Sequence, residues 1–473
     1  MITVTCFEGQ TVAVLGLGGS GIVAARALKA GGARVIVHDD DKDRIALAVQ
    51  EGFERTDLQH ADWTGLSALI LAPGVPLTHP APHWSVLRAQ EHGVEIIGDV
   101  ELFFRQRSLL APEVPVVAIT GTNGKSTTTA LAAHVFGEAG FEVHMGGNIG
   151  VPVLDLDEPR QDGNQIYVLE LSSYQIDLTP TLKPTIGIHL NLSPDHLDRH
   201  GSMDRYAAIK ERLIQEATDF VVVGVDDDLS QSIATRAGEH RGADHVAEIS
   251  VLPLNYDGDL KADFCALGSE LFLSDVGHSL VDLKDAPTLR GQHNAQNALA
   301  VLASALWLGV PSETIQTGFE TFPGLAHRME LVARKGTVLF VNDSKATNAD
   351  AAAHALASFE SIYWILGGKA KSGGIASLTE YFPKIRHFFL IGEASNTFSE
   401  TLSAVPDAQV TQSGTLDQAV LDAVAATEAR AADEECVVLL SPACASFDQF
   451  RNFELRGEAF KVAVMRVEGV EPF

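Results

Sequence analysis

The stretch from residue 116 to residue 136 limits the possible folds more than any other. A short apolar run, Val116-Val117-Ala118-Ile119, leads into the turn Gly121-Thr122-Asn123-Gly124-Lys125-Ser126-Thr127, and Thr128 to Phe136 read as a helix. A strand that ends in a glycine turn and passes straight into a helix is the phosphate cradle of a parallel sheet. Glycines let backbone N–H groups turn inward, the helix N-terminus favours negative charge, Lys125 can reach transferring phosphates and Ser126 can ligate magnesium. The spacing departs from the general form of this motif, with Ile119 where its first glycine is expected. A fortuitous glycine turn would need neither the strand before it nor the helix after it.

The same alternation of apolar runs and helical stretches occurs three times, the pattern of parallel sheets covered by helices. In the first part, strands are expected over residues 11–15, 34–38 and 68–72, with a glycine turn and a helix near residues 22–29. In the second they are expected over 114–120, 165–171, 185–190 and 220–225. A less regular, β-rich stretch then runs to residue 289, followed by a helix over 295–308 and a hinge at 322–324. The third part has strands over 338–342, 362–366, 387–391 and 436–440. The expectation is an α/β protein of three domains: a Rossmann-like domain (residues 1–108), a central P-loop domain (109–324) and a Rossmann-like C-terminal domain (325–473).

The 473 residues carry 62 acidic against 34 basic side chains, a formal charge of -28. Such a field repels nucleic acid and anionic lipid, so anionic ligands must be held locally by cations, metal ions and helix N-termini. The N-terminal residues lack the basic patch and apolar stretch of a secretory signal, and no apolar run approaches a membrane span. Cys6, Cys265, Cys436 and Cys444 lack CxxC spacing, which disfavours a zinc site or a disulfide scaffold and fits a reducing cytoplasm. Small molecules are the expected partners of a cytoplasmic monomer, with no membrane insertion.

A second glycine turn, Gly16-Leu17-Gly18-Gly19-Ser20-Gly21, again lies between strand and helix, and Asp39 and Asp40 close the next strand. This fingerprint serves a dinucleotide or a nucleotide-sugar diphosphate alike, since either rests a pyrophosphate on a helix N-terminus. Glu170 and His196 follow strands of the part that carries the phosphate loop, where ligands of open α/β sheets collect. A carboxylate and an imidazole there suit magnesium bound partly through substrate phosphates. Taken singly, Glu170 reads as well as an ion-pair partner, and His196 as a loop histidine. Near the start of the third part, Gly324-Leu325-Ala326-His327-Arg328-Met329-Glu330 and Asn342-Asp343-Ser344-Lys345-Ala346-Thr347-Asn348 combine cations, hydroxyls and amides. That mixture suits a carboxylate or phosphate site, or a solvated loop.

Taken together, the strings DVELF (99–103), GGNIG (146–150), ELSSYQ (170–175), SPDHLDRHG (193–201), GQHNAQNALA (291–300), GLAHRME (324–330), NDSKATN (342–348) and SPACASFDQF (441–450) resemble the Mur ligase family, along essentially the whole chain. They look most like its branch that adds D-glutamate to UDP-N-acetylmuramoyl-L-alanine. The resemblance implies an ATP-dependent amide-bond ligase of peptidoglycan precursor synthesis whose first domain holds the UDP-muramoyl substrate, whose second holds ATP and whose third brings in D-glutamate. Gly18, Gly19 and Ser20 would contact the UDP phosphates, Asp39, Pro73 and Gly74 the uridine side, and Asn148 the sugar. Gly121, Thr122, Asn123, Gly124, Lys125, Ser126 and Thr127 would hold ATP phosphates, with Asn294, Asn297, Arg328 and Asp343 around its base, ribose or phosphates. Lys345, Thr347, Lys369, Ser441 and Phe447 match the D-glutamate pocket. Two magnesium ions are implied, one shared by Ser126 and Glu170 and a second held with His196. Lys210 matches a lysine that family members carbamylate; by itself it reads as a helix-face lysine. Lys125, His196 and Lys210 are the implied catalytic groups. After Asp39 the sequence reads Asp40-Asp41-Lys42, where related enzymes often place a hydroxyl and an arginine near the uracil.

The implied chemistry is an alanyl carboxylate attacking the γ-phosphate of ATP to give an acyl phosphate, which the D-glutamate amine then displaces. Lys125 and magnesium would neutralise the transferring group. The amine needs a base, and a metal-ligating His196 could not also take its proton, so the base stays unassigned.

Overall fold

The computed structural model describes residues 1–161, 163–252, 262–274, 278–370, 374–428 and 434–473. Among the described residues there are three sheets. The first comprises β1 (Thr11–Leu15), β2 (Arg34–His38), β3 (Glu54–Arg55), β4 (Leu66–Leu71) and β5 (Glu95–Ile97). All its pairings are parallel, in the order β3-β2-β1-β4-β5. The second comprises β6 (Val116–Thr120), β7 (Glu142–Gly147), β8 (Gln165–Glu170), β9 (Ile186–His189), β10 (Phe220–Gly224), β11 (Val246–Ser250), β12 (Phe264–Leu267), β13 (Glu270–Leu273) and β14 (Ser279–Asp282). Its order is β14-β13-β12-β11-β10-β9-β6-β8-β7, parallel from β7 to β12, with β13 and β14 antiparallel. The expected β-rich stretch is thus β11 to β14; residues 253–261 and 275–277 within it lie outside the described residues.

The third sheet comprises β15 (Glu330–Lys335), β16 (Val338–Asn342), β17 (Ile362–Gly367), β18 (Ile385–Ile391), β19 (Val410–Gly414), β20 (Cys436–Leu440) and β21 (Glu471–Pro472), in the order β19-β18-β17-β20-β16-β15-β21. Among the described residues, β15 alone runs opposite to the other strands of this sheet. Side chains alternate across a strand, so a strand covered on both faces feeds two cores. On β17, Trp364 and Leu366 enter one core while Tyr363 and Ile365 enter the other.

The chain divides into two compact units, residues 1–284 with 292–320, and residues 285–291 with 321–473. The first two sheets fall in one unit because they share a core. Val12 and Val14 of β1 join Val100, Leu102, Phe103 and Phe104 of the helix Asp99–Leu110, and these join Val116 and Ala118 of β6. The chain passes to the second unit between Glu320 and Thr321, just before residues 322–324, and the segment 285–291 also belongs to that unit. Among the described residues, no helix is long and apolar enough to cross a membrane.

Candidate active site

Both glycine turns sit where strand order reverses, the place at which open α/β sheets leave a crevice beyond their strand ends. In the first sheet this lies between β1 and β4. Gly16 has φ +90°, and a Cβ there would meet the Cβ of Ala72 in the loop after β4 at 2.5 Å. Gly18 caps the helix Gly19–Ala30 without a side-chain hydrogen bond, and a Cβ on Gly19 would meet no atom within 4 Å. A side chain at Gly19 would therefore reach open space at the start of that helix. Asp39, buried at the end of β2, accepts from the N–H groups of Leu17 and Asp41, which pins the turn. Arg44, which the sequence motifs do not single out, stands 3.8 Å from the Asp39 carboxylate and 3.7 Å from where a Cβ of Gly18 would lie. The structure puts this arginine beside the glycine turn, although residues 40–42 lack one.

In the second sheet, β6 is wholly buried and lies between β8 and β9, so the loops after all three strands converge. Gly121 has φ +149° and Gly124 φ +84°, and a Cβ on Gly124 would collide with Asn297 Oδ1. Lys125 opens the helix Lys125–Glu138 and folds its ammonium back onto the carbonyls of Gly121 (3.0 Å) and Thr122 (2.8 Å). Ser126 is buried in the first turn, followed by Thr127. The Asn123 N–H donates to Asn191 Oδ1, and the Thr122 hydroxyl donates to the Ser193 carbonyl, which fixes the cradle against the loop after β9. Asn294 and Asn297 are buried behind it. Asn297 accepts from the Thr128 hydroxyl and donates to Asn294, so these two residues reach the phosphate loop through its packing side.

Glu170 ends β8 at 2% exposure. One carboxylate oxygen accepts from Asn148 (2.8 Å); the other is buried without a hydrogen-bond partner among the described residues. Lys210, on the helix Met203–Gln215, is 1% exposed and donates to the Thr120 hydroxyl (3.0 Å) and the Gly121 carbonyl (2.8 Å). Burial, and then the nearby Lys125 charge, hold its amine well below the usual lysine range, against the pull of Asp195 and Glu170. His196 takes the left-handed conformation, φ 52°, at the start of the short helix Leu197–His200. Its Nε2 lies 3.3 Å from Asp195, and its ring packs on Tyr174, centroids 5.0 Å apart. Behind it, burial drives His200 down to about 4 and His189 to about 3, so both rings are neutral at physiological pH.

An anionic, oxygen-rich pocket is what magnesium takes, and a buried carboxylate oxygen with no donor of its own is a group that a cation would satisfy. Glu170, with Ser126 in the first turn of the helix Lys125–Glu138, fits such an ion. His196 and Lys210 stand on the loop and helix beside them.

In the second unit, Asp343 follows β16, fully buried. It accepts from the Ser441 hydroxyl (2.8 Å) and from the N–H of Met329, next to Arg328, and desolvation pushes its carboxyl up to about 7. Ser441 is therefore committed to Asp343. His327 is packed too, between Asn342, Glu330 and the backbone of Gly457. Lys345 and Thr347 lie half-buried on the turn after β16, with the Lys345 ammonium 5.9 Å from the Phe453 ring. Lys369, exposed, pairs by backbone with Ala445, which places it beside Ser446 and Phe447. Phe447 is 70% exposed, whereas the Ser446 hydroxyl is buried without a partner among the described residues. Ser446 was not among the sequence candidates, since a serine between Ala445 and Phe447 gives no signal of its own. Arg456, 1% exposed on the helix Phe453–Met465, donates to the Ser344 hydroxyl and carbonyl and to the Cys444 carbonyl.

The site has the make-up of a nucleotide-dependent ligase, and comparison with known proteins agrees. Residues 119–305 match the Mur ligase middle domain, and residues 327–444 match the Mur ligase glutamate ligase domain. The chain belongs to the Mur ligase family. Among its relatives, the UDP-N-acetylmuramoylalanine--D-glutamate ligase of Nitrobacter winogradskyi is 55% identical over 476 residues, covering 100% of both chains. The enzyme of the same name from Agrobacterium fabrum is 53% identical, covering 99% of this chain and 98% of its own. In fold the chain is similar to a UDP-N-acetylmuramate-alanine ligase of Thermotoga maritima (TM-score 0.56, 18% identity, 96% of this chain and 99% of that one). It is likewise similar to a UDP-N-acetylmuramoyl-L-alanyl-D-glutamate--2,6-diaminopimelate ligase (TM-score 0.58, 18% identity, 99% and 95%).

Proposed function

We propose that this protein is a cytoplasmic ligase that joins D-glutamate to UDP-N-acetylmuramoyl-L-alanine at the expense of ATP, in the synthesis of peptidoglycan precursors. One observation of the molecule carries the chemistry: the orphaned buried oxygen of Glu170 at the strand end beside the phosphate loop. The substrates are those named for relatives that match over their full length. The working protein is a monomer with three functional parts, a Rossmann-like first sheet for UDP, a P-loop second sheet for ATP and a Rossmann-like third for D-glutamate.

On this reading the open helix N-terminus at Gly18, Gly19 and Ser20 receives the UDP phosphates, with Asp39, Pro73 and Gly74 toward the uridine and Asn148 toward the sugar. Residues 121–127 cradle the ATP phosphates. When ATP arrives, Lys125 exchanges its two loop carbonyls for phosphate oxygens, a stronger charge-assisted pairing. Arg328 and Asp343 serve the nucleotide, and Asn294 and Asn297 hold the loop that binds it. Ser126 with Glu170, and His196 with Lys210, would hold two magnesium ions, whose charge would offset that developing on the transferring phosphoryl group. Burial lowers the pKa of the Lys210 amine, which favours the uncharged form that adds carbon dioxide with release of a proton, and the resulting carbamate would supply the second site with a carboxylate. Lys345, Thr347, Lys369, Phe447 and the unpartnered Ser446 hydroxyl receive D-glutamate, with Ser441 bracing Asp343. Phosphorylation of the alanyl carboxylate by ATP turns a poor leaving oxygen into phosphate, and the D-glutamate amine displaces it.

The test is phosphate release from ATP with UDP-N-acetylmuramoyl-L-alanine present, comparing D-glutamate with L-glutamate, L-alanine and meso-diaminopimelate, with the product identified by mass. Turnover confined to D-glutamate is the expected result. Turnover with another amino acid would move the chain to a different branch of the family, and none with any would overturn the reading.

A further inference from the structure

The loop after β4 carries Pro73, Pro76, Pro80 and Pro82 within residues 73–82. Prolines donate no hydrogen bond, so such a loop has few donors of its own to hold its carbonyls. Three successive carbonyls are instead satisfied by one side chain from the second sheet's loops: the Arg199 guanidinium donates to Pro73 (3.3 Å), Gly74 (2.9 Å) and Val75 (3.0 Å). Its flat face lies over the Tyr174 ring, 4.6 Å from the centroid. That ring also packs on His196 and His200, and His200 is held by the Ser173 hydroxyl at 2.9 Å. Arg199 and His196 belong to the same short turn. A Cβ on Gly201, just beyond it, would strike the His79 ring of the proline-rich loop, so the two segments are in close contact.

We propose that Arg199 is a positioning residue that ties the uridine-side loop 73–75 to the turn bearing His196, so that one guanidinium sets both the UDP end of the substrate site and the metal-side turn. The inference rests on the functional reading above. A lysine keeps the charge, but one ammonium cannot span three carbonyls while stacking flat on a ring. Without Arg199 the carbonyls of residues 73–75 lose their shared donor, and the loop is free to take other conformations that UDP must then reorder on binding.

The test is calorimetric titration with UDP itself, alongside initial rates that give KM for each of the three substrates, on the full-length protein and its Arg199→Ala and Arg199→Lys variants. Arg199→Ala is expected to weaken UDP about tenfold and to raise the KM of the UDP-linked substrate similarly, with the KM of D-glutamate within about twofold of the original. The magnesium concentration for half-maximal rate should rise in the same variant, and Arg199→Lys should recover only part of each effect. A UDP affinity within twofold of the original in Arg199→Ala, or a parallel rise in all three KM values, would overturn the proposal. Should Arg199→Ala fail to fold, Arg199→Lys decides alone: full UDP affinity sinks the idea, and a several-fold loss with unchanged D-glutamate KM upholds it. Failure of the unaltered protein to bind UDP would instead strike the functional reading, and the proposal with it.

Discussion

With one oxygen on Asn148 and the other buried without a hydrogen-bond partner among the described residues, the Glu170 carboxylate carries a desolvation cost that its one hydrogen bond offsets only in part. Folding gains little from the unpaired oxygen, as the proposed role in holding a cation requires. Glu170→Gln has the same shape, can still accept from Asn148 and removes the charge. It should therefore raise the thermal midpoint of the ligand-free protein while lowering kcat at least ~100-fold, since it takes charge stabilisation from the reacting phosphates. Calorimetric melting and phosphate-release rates check both halves, and a variant that loses stability would show that the carboxylate is structural. Asp343 is a second buried carboxyl. Its folded carboxyl holds a proton up to about 7, while the unfolded group releases it near 3.8. Between those values the folded state binds more protons, so this group's contribution to stability is complete below 3.8 and is lost as pH rises toward 7. Asp343→Asn, whose amide can meet Met329 and Ser441 in the same place, should melt about 4 °C or more above the unaltered protein at pH 8 and close to it at pH 4. An equal difference at both pH values would mean that the carboxyl is not protonated in the folded protein.

Elements differ in what each can hold still. In the second unit the turn after β16, with Lys345 and Thr347, the backbone pair of Lys369 and Ala445, and the loop bearing Ser446 and Phe447 meet around the Arg456 guanidinium, whose partners belong to two of these segments. Arg456→Lys cannot reach Ser344 and Cys444 together, so it should raise the KM of D-glutamate about tenfold or more and leave the affinity for UDP unchanged. A KM within twofold of the original would show that the loops hold themselves. Such a clamp is not legible in the string Phe453-Glu454-Leu455-Arg456, where the arginine reads as a solvated helix charge. The central strands were legible: β10, β17 and β20 are buried on both faces and appear as apolar runs, and β6 is apolar up to its closing Thr120. The strands at sheet edges were not. β7 (EVHMGG), at its sheet's edge, and β15 (ELVARK), flanked on its outer side only by the two-residue β21, interrupt their apolar residues with glycines or charges. The phosphate loop could be read because its geometry needs glycine at fixed places. Lys210 could not be seen as buried, because its surroundings are Thr120 and Gly121, 89 and more residues away in sequence.

At the scale of the whole molecule, a formal charge of -28 sets a long-range field against ligands that are themselves polyanions. Against that field stand local cations such as Lys125 at the phosphate loop and Arg44 at the first glycine turn, the latter already shared with Asp39 and Asp41. The two effects act over different distances. At ~0.1 M salt the Debye length is ~10 Å, so salt removes most of the repulsion felt by an approaching nucleotide, while contacts within the cradle, made at hydrogen-bond distance and partly buried, are screened much less. Rising ionic strength should therefore speed capture more than it loosens the bound state. Stopped-flow association of UDP, followed at fixed free magnesium, should show a rate constant that climbs a few-fold between ~10 and ~150 mM potassium chloride, with a much smaller change in the dissociation rate. A rate that falls over that range would mean that the basic groups at the turn, and not the net charge, govern the approach. The acidic surface would then serve solubility without slowing substrate capture.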